Sequence, residues 1–404
     1  MDTKSQVIAL QMLIWHFQLI QNSGIACALG AAALINRESS TRWPYRPSIR
    51  YTYRRPLGDV WAAEEDGGIS DETFRKATRF WKDEVVQLAY ELDIPVKFGV
   101  DQRGQAHAIT ESPQEALLIF LWRSAYPLVL HHLSVIFGRS PSWISRVFNG
   151  VLLHIWERWG ARIEFDAQLM NRERIEKYCA AIAESLESKN EGIFGFIDGT
   201  DVPVARPMFE DQQLFYSGHK KHHSINHLAI VLPDGLFGSC FTGYPAAGGD
   251  AALCISLGLG EKLRELLSWL PDGQYRYVYG DGAFGSQDFV IGPWKKSAGT
   301  VLQPDQKRMN QWLSTKRIVV EHGFGRVKMQ FKFLRSLPIT GLCPVGIYMP
   351  VFAFLVNCQT CLRGGNQISG VFRVSPPSLS EYIEGDLQGL GNSGDEEASP
   401  GDAS

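Results

Sequence analysis

Ile193-Phe194-Gly195-Phe196-Ile197-Asp198 is an unbroken apolar run that stops on a carboxylate. With no polar residue to mark a wet face, it predicts a strand buried on both sides. Tyr277-Val278-Tyr279-Gly280-Asp281 repeats the pattern, its acid 83 positions after the first. Between them, residues 227–232 and 236–242 flank Pro233-Asp234-Gly235, a turn tripeptide that predicts a hairpin. Residues 253–269 and 316–334 carry helical periodicity. The order strand, hairpin, helix, strand, helix predicts an α/β fold, a mixed sheet flanked by helices.

The later helix carries a third acid. Val320, Phe324, Val327, Phe331 and Leu334 recur at steps of four and three and form one apolar stripe. Glu321 lies about 100° around the helix from Val320, on a face shared with Arg317, Gly325, Lys328 and Lys332. Residues 305–335 hold eight Lys/Arg against two acids, a footprint suited to a phosphate backbone. Gly323 and Gly325 cost the helix stability relative to Ala, which makes sense where another backbone or a ligand must approach closely. Taken alone, Glu321 reads as an exposed ion pair with Arg317 or Lys328 before it reads as a metal ligand.

Composition sets the frame. The chain has 404 residues, 45 % hydrophobic and 21 % charged, as in ordinary soluble globular proteins. The net charge of -3 hides an asymmetry: residues 381–404 carry seven acids and no Lys or Arg, and without those acids the charge becomes +4. Seven dispersed cysteines suit a reducing compartment. Cys358 and Cys361 form a CxxC inside an apolar run expected to be a buried helix, with no second ligand pair for zinc. Residues 7–35 are apolar but interrupted by His16, Gln18, Gln21, Asn22 and Ser23, which predicts packed helices rather than a membrane span or secretory signal. Residues 37–58 form an Arg-rich arm, read as a linker or as a phosphate contact.

The segment before Asp198 is helical. Periodicity covers residues 70–92 and 113–122. Residues 127–137, Gly138-Arg139, and a helix capped by Ser140 running to about residue 159 fit a helix-turn-helix, or an ordinary helical hairpin. In the former, Arg139, Ser142, Ser145 and Arg146 stand where a recognition helix meets DNA. The expected divisions are 1–59 (N-terminal helices and arm), 60–190 (helical DNA-binding region, helix-turn-helix at about 126–158), 191–365 (nuclease domain) and 366–404 (acidic disordered tail).

Five blocks in order carry a family resemblance. Gly195-Phe196-Ile197-Asp198-Gly199-Thr200, residues 216–226, residues 245–253, Tyr279-Gly280-Asp281-Gly282-Ala283-Phe284 and residues 317–325 resemble the motifs of Harbinger-type DDE transposases and their domesticated relatives. Ile136-Phe137-Gly138-Arg139-Ser140 resembles the family's helix-turn-helix. The resemblance implies an RNase H-like fold with Asp198, Asp281 and Glu321 as the catalytic acids. It also implies Asp250 as a further metal-binding carboxylate, although Asp at a helix start is also an ordinary cap. These carboxylates would hold Mg²⁺ or Mn²⁺ for phosphodiester hydrolysis, with strand transfer by the freed 3′-OH at the same centre. Double-stranded DNA is the implied substrate. A separate Myb-like DNA-binding partner and nuclear work are implied as well. Asp201 and Gly249 stand where many relatives carry His. Lys220 and Lys221, with His219, His222 and His223, read as phosphate contacts or as a solvated loop; their spacing gives no clean metal set. The alternatives are a domesticated, non-catalytic DNA-binding protein, or another nuclease on the same fold.

Overall fold

The computed structural model describes residues 59–99, 109–185, 192–206, 210–218, 220–245, 249–284, 288–296, 301–335, 337 and 345–385. The expected N-terminal helices, the Arg-rich arm, His219 and the acidic stretch beyond 385 lie outside them. The helical part contains α1 (Asp71–Thr78), α2 (Lys82–Glu91), a small ladder of β1 (Lys97–Phe98) with β2 (Ile109–Thr110), α3 (Pro113–Ala125), α4 (Leu130–Phe137), α5 (Pro141–Glu164) and α6 (Arg172–Ser185). The helix expected over 70–92 is two. Arg79 turns left-handed at φ 76° and ends α1, and its N–H bonds the Arg75 carbonyl. No Gly or Pro announces that break. Gly138 ends α4 at φ 63°, and Ser140 caps α5 by accepting from the Trp143 N–H. The two helices and their Gly turn therefore lie where the sequence placed them, with α5 extending to Glu164.

The sheet holds β3 (Ile193–Pro203), β4 (Tyr216–Ser217), β5 (His222–Val231), β6 (Phe237–Cys240), β7 (Tyr244–Pro245), β8 (Tyr277–Tyr279) and β9 (Val290–Ile291). Its order is β4-β5-β3-β8-β9, with β6 and β7 also paired to β5. β3 runs parallel to β8 and antiparallel to β5, so the sheet is mixed. The hairpin turns at Gly235, φ 83°. Two short helices, α7 (Asp250–Ser256) and α8 (Leu259–Leu266), replace the single helix expected over 253–269; left-handed Gly258 separates them.

The helix bearing Glu321, α9 (Pro304–Gln330), starts twelve residues before the expected position. Gln303 and Gln306 form its capping box and Pro304 opens its first turn. Its first three turns bury only Leu313, so no apolar stripe marks them. α10 (Tyr348–Leu362) is the expected buried helix. The run 345–362 is long and apolar enough to cross a membrane, but it is 89 % buried inside the protein. The expected tail also begins too early. α11 (Gln367–Phe372) and α12 (Leu379–Glu384) bury Ile368, Phe372, Leu379, Tyr382 and Ile383 against the body. One continuous core runs from Val60 to Ile383 across the expected boundary at 190.

Candidate active site

Asp198 is not at a strand end. β3 continues through Gly199-Thr200-Asp201 because β5 pairs with it as far as Pro203, while its other neighbour β8 stops opposite Phe196. The parallel register sets Phe196 beside Tyr279, so Asp198 and Asp281 each lie two residues beyond that pair. β8 ends there, and the Asp281 charge reaches Asp198.

Alternation along β3 then sorts its neighbours onto two faces. Asp198 and Thr200 face α9. Asp198 accepts from Arg317 Nη1 at 2.6 Å, and Arg317 Nη2 donates to Glu321 Oε1 at 3.0 Å. Lys328 Nζ donates to Thr200 Oγ1 at 2.6 Å and to the Asp201 carbonyl at 2.7 Å. The opposite face holds Gly199 and Asp201, where Lys220 and His222 (2.9 Å) both bond the Asp201 carboxylate. Asp250 lies on that face too. A Cβ on Gly199 would stand only 2.5 Å from its Cγ, so the glycine is the cradle that admits this side chain.

Asp250 does not act as a helix cap. Gly249 holds the cap position, and Asp250 is the first residue of α7 with its carboxylate turned to β3. Burial raises its carboxyl above the usual aspartate range, and the charges of Asp198 and Asp281 push it further. Burial likewise raises Asp198. Arg317 and the Gly199 N–H oppose that rise, while Asp281 and Glu321 add to it. Asp281 Oδ1 accepts from the Ala283 N–H at 2.8 Å, which orients it in the turn after β8. Asp198 thus feels the charges of Asp281 and Glu321, and Asp250 those of Asp198 and Asp281.

Among the described residues, no three His, Cys, Asp or Glu side chains stand close enough to hold a metal ion as they are. Between Asp198 and Glu321 the positive charge is the Arg317 guanidinium. The donor chemistry still fits a hard divalent cation: every donor is a carboxylate oxygen, and Asp198 and Asp250 carry a burial cost that a cation would offset. Glu321 is thus present as an ion pair with Arg317, and its charge reaches Asp198.

The other predicted site residues differ in placement. Lys328 is turned into the sheet, and burial lowers its ammonium below the usual lysine range. Burial would raise the Asp201 carboxyl, but the bonds from Lys220 and His222 outweigh it and hold the group low. Lys221 is exposed at the β4–β5 turn with φ 59°. In the helical part, Ser142 and Arg146 are exposed near the start of α5. Arg139 is engaged: its Nε donates to the buried Glu111 at 2.9 Å, and its guanidinium lies over Trp143. His227 is a core residue, its Nδ1 on the Phe241 carbonyl at 3.0 Å, with a pKa lowered by burial to about 4. Cys358 and Cys361 are buried free thiols pushed upward by burial, which excludes them as reactive groups.

Residues 197–357 match the family model of the DDE superfamily endonuclease. The matched stretch begins one residue before Asp198, contains Asp250, Asp281 and Glu321, and ends within α10. No curated protein and no solved structure matches the chain. The DDE superfamily endonuclease domain supports a nuclease or transposase-like enzyme, with DNA as its implied substrate. The cradle at Gly199, the lysine dock on Thr200 and Asp201, and the double role of Arg317 were missed in the sequence. Gly199 within the first acidic block was the only visible signal.

Proposed function

We propose that this chain is a divalent-cation-dependent DNA endonuclease of the transposase type, on an RNase H-like sheet. The observation that carries it is the register that sets Asp198 and Asp281 two residues beyond the Phe196–Tyr279 pair, with Arg317 joining Asp198 to Glu321 and Gly199 admitting Asp250. These four would hold Mg²⁺ or Mn²⁺, which supplies an activated water and charge stabilisation at the scissile phosphate. Holding a cation requires Arg317 to release Asp198 and Glu321. Its planar fork then suits a phosphate of the bound strand. Lys220 and His222, steered by Asp201, and the exposed Lys221 add positive charge on the second face. Hydrolysis breaks one phosphodiester bond and leaves a 3′-OH. In strand transfer that hydroxyl attacks a second phosphodiester at the same centre. Ser142, Arg146 and Arg139 at the start of α5 are assigned to DNA, Arg139 after release from Glu111. The Harbinger-type resemblance adds nuclear work and a Myb-like DNA-binding partner.

Nicking of supercoiled plasmid with Mg²⁺ or Mn²⁺ tests this, comparing wild type with Asp281→Ala. Cation-dependent nicking confined to wild type is expected; equal nicking by both rejects the assignment. The Arg317 bridge favours one second reading, a DNA-binding protein that no longer cuts. Duplex binding without nicking under either cation, with the partner present, would decide for it.

A further inference from the structure

We propose that the duplex flanking the cut leaves the acidic cluster along the C-terminal half of α9, passing over Gly325 onto a cationic clamp around Tyr126. This deepens the DNA reading above and rests on it. Gly325 is one turn beyond Glu321 on the same face, and a Cβ built there meets nothing within 4 Å. Its neighbour Gly323 is different: a Cβ there would press on Phe237 and Val231 at 3.2 Å. Internal packing therefore accounts for Gly323 but not for Gly325. A helix that gives up stability at an open position gains room for something outside it.

The helix then delivers the lane to an unusual ring. Tyr126, at the end of α3, carries the Arg79 guanidinium at 4.7 Å from its centroid and the Lys332 ammonium at 5.1 Å. Among the described residues, no carboxylate pairs with either cation. Arg79 is fixed there because its Nε donates to the Gln330 carbonyl at the last turn of α9. Two like charges about one ring repel, and a nearby anion offsets that repulsion. A phosphate is the anion a nuclease substrate brings. From Glu321 to Gln330 the helix rises about 14 Å. That corresponds to roughly four base pairs at 3.4 Å per step along a strand. The clamp thus takes backbone a few base pairs outside the scissile phosphate.

The test is duplex binding in EDTA by fluorescence anisotropy, with wild type, Lys332→Gln and Gly325→Leu. Duplexes of about 30 and about 8 base pairs are compared across a salt series. Both variants should bind the long duplex about three- to tenfold more weakly, with the short duplex unchanged. Lys332→Gln should also flatten the salt slope by about one. Gly325→Leu should melt no lower than wild type, which separates obstruction from unfolding; should it fail to fold, Lys332→Gln decides alone. Wild-type binding with unaltered variants overturns the lane. Failure of wild type to bind either duplex overturns the DNA reading beneath it.

Discussion

Gly199→Ala is the sharpest perturbation the site offers. The added methyl would lie 2.5 Å from Asp250 Cγ and 2.7 Å from Oδ2, and closer still to Oδ1. Ordinary van der Waals contact needs 3.4–4 Å, so the carboxylate must retreat by about 1 Å. A displacement of that size at a reacting centre costs about 100-fold in rate. The fold should hardly notice. Gly199 has no positive φ, and replacing Gly by Ala at a compatible site gains about 0.4–1 kcal/mol through the unfolded chain. Moving Asp250 off its rotamer costs about 0.5–1.5 kcal/mol, so the two nearly cancel. Plasmid nicking should fall about 100-fold, while the melting temperature shifts by no more than about 4 °C. The double variant with Asp250→Ala should be no slower than Asp250→Ala alone, since both act through one carboxylate. Wild-type nicking by Gly199→Ala would remove Asp250 from the centre, and additive losses would show that the methyl acts elsewhere.

Three further outcomes follow. Gly325→Ala should stabilise the protein by up to about 1 kcal/mol in urea unfolding, because it removes helical glycine into open space. Asp234→Ala should destabilise by about 3–5 kcal/mol, since it strands the buried Arg174, which donates to Asp234 at 2.6 Å beside Tyr178. His227 is held neutral down to about pH 4, whereas an unfolded histidine protonates near 6.5. The unfolded state therefore binds the extra proton first. Stability should fall by about 3 kcal/mol as pH drops from 6.5 to 4, and His227→Gln should flatten that part of the urea-unfolding profile.

The parts legible in the sequence were those written in local chemistry. Ile193 to Ile197 could only be a buried strand, and Pro233-Asp234-Gly235 could only turn. The stripe from Val320 to Val327 faced the core as its spacing required. What escaped was supplied from far along the chain. Asp198 looked terminal because Gly199-Thr200-Asp201 is polar, yet β5, some 25 residues on, keeps that segment in the sheet. Arg317 reads as a partner for Glu321, four residues away; its shorter bond goes to Asp198, 119 residues earlier. Glu381 counted as tail acidity, whereas its carboxylate caps α12 through Ser378. Arg139 looked available for DNA because Glu111, 28 residues earlier, gave no hint of its burial.

One buried helix changes how the halves of the molecule relate. α10 packs against α5 from the helical part, and against β6, α9 and α12 from the rest. Phe352 is shared in the same way, touching Phe120 on one side and Phe331 on the other. The helical part is therefore no tethered appendage swinging on a linker. Both parts share one core, so on the proposed DNA reading the distance from the start of α5 to the acidic cluster is a fixed length of the protein. Inserting residues near 190 would leave that distance set by the packing of α10 and of α5 on β6.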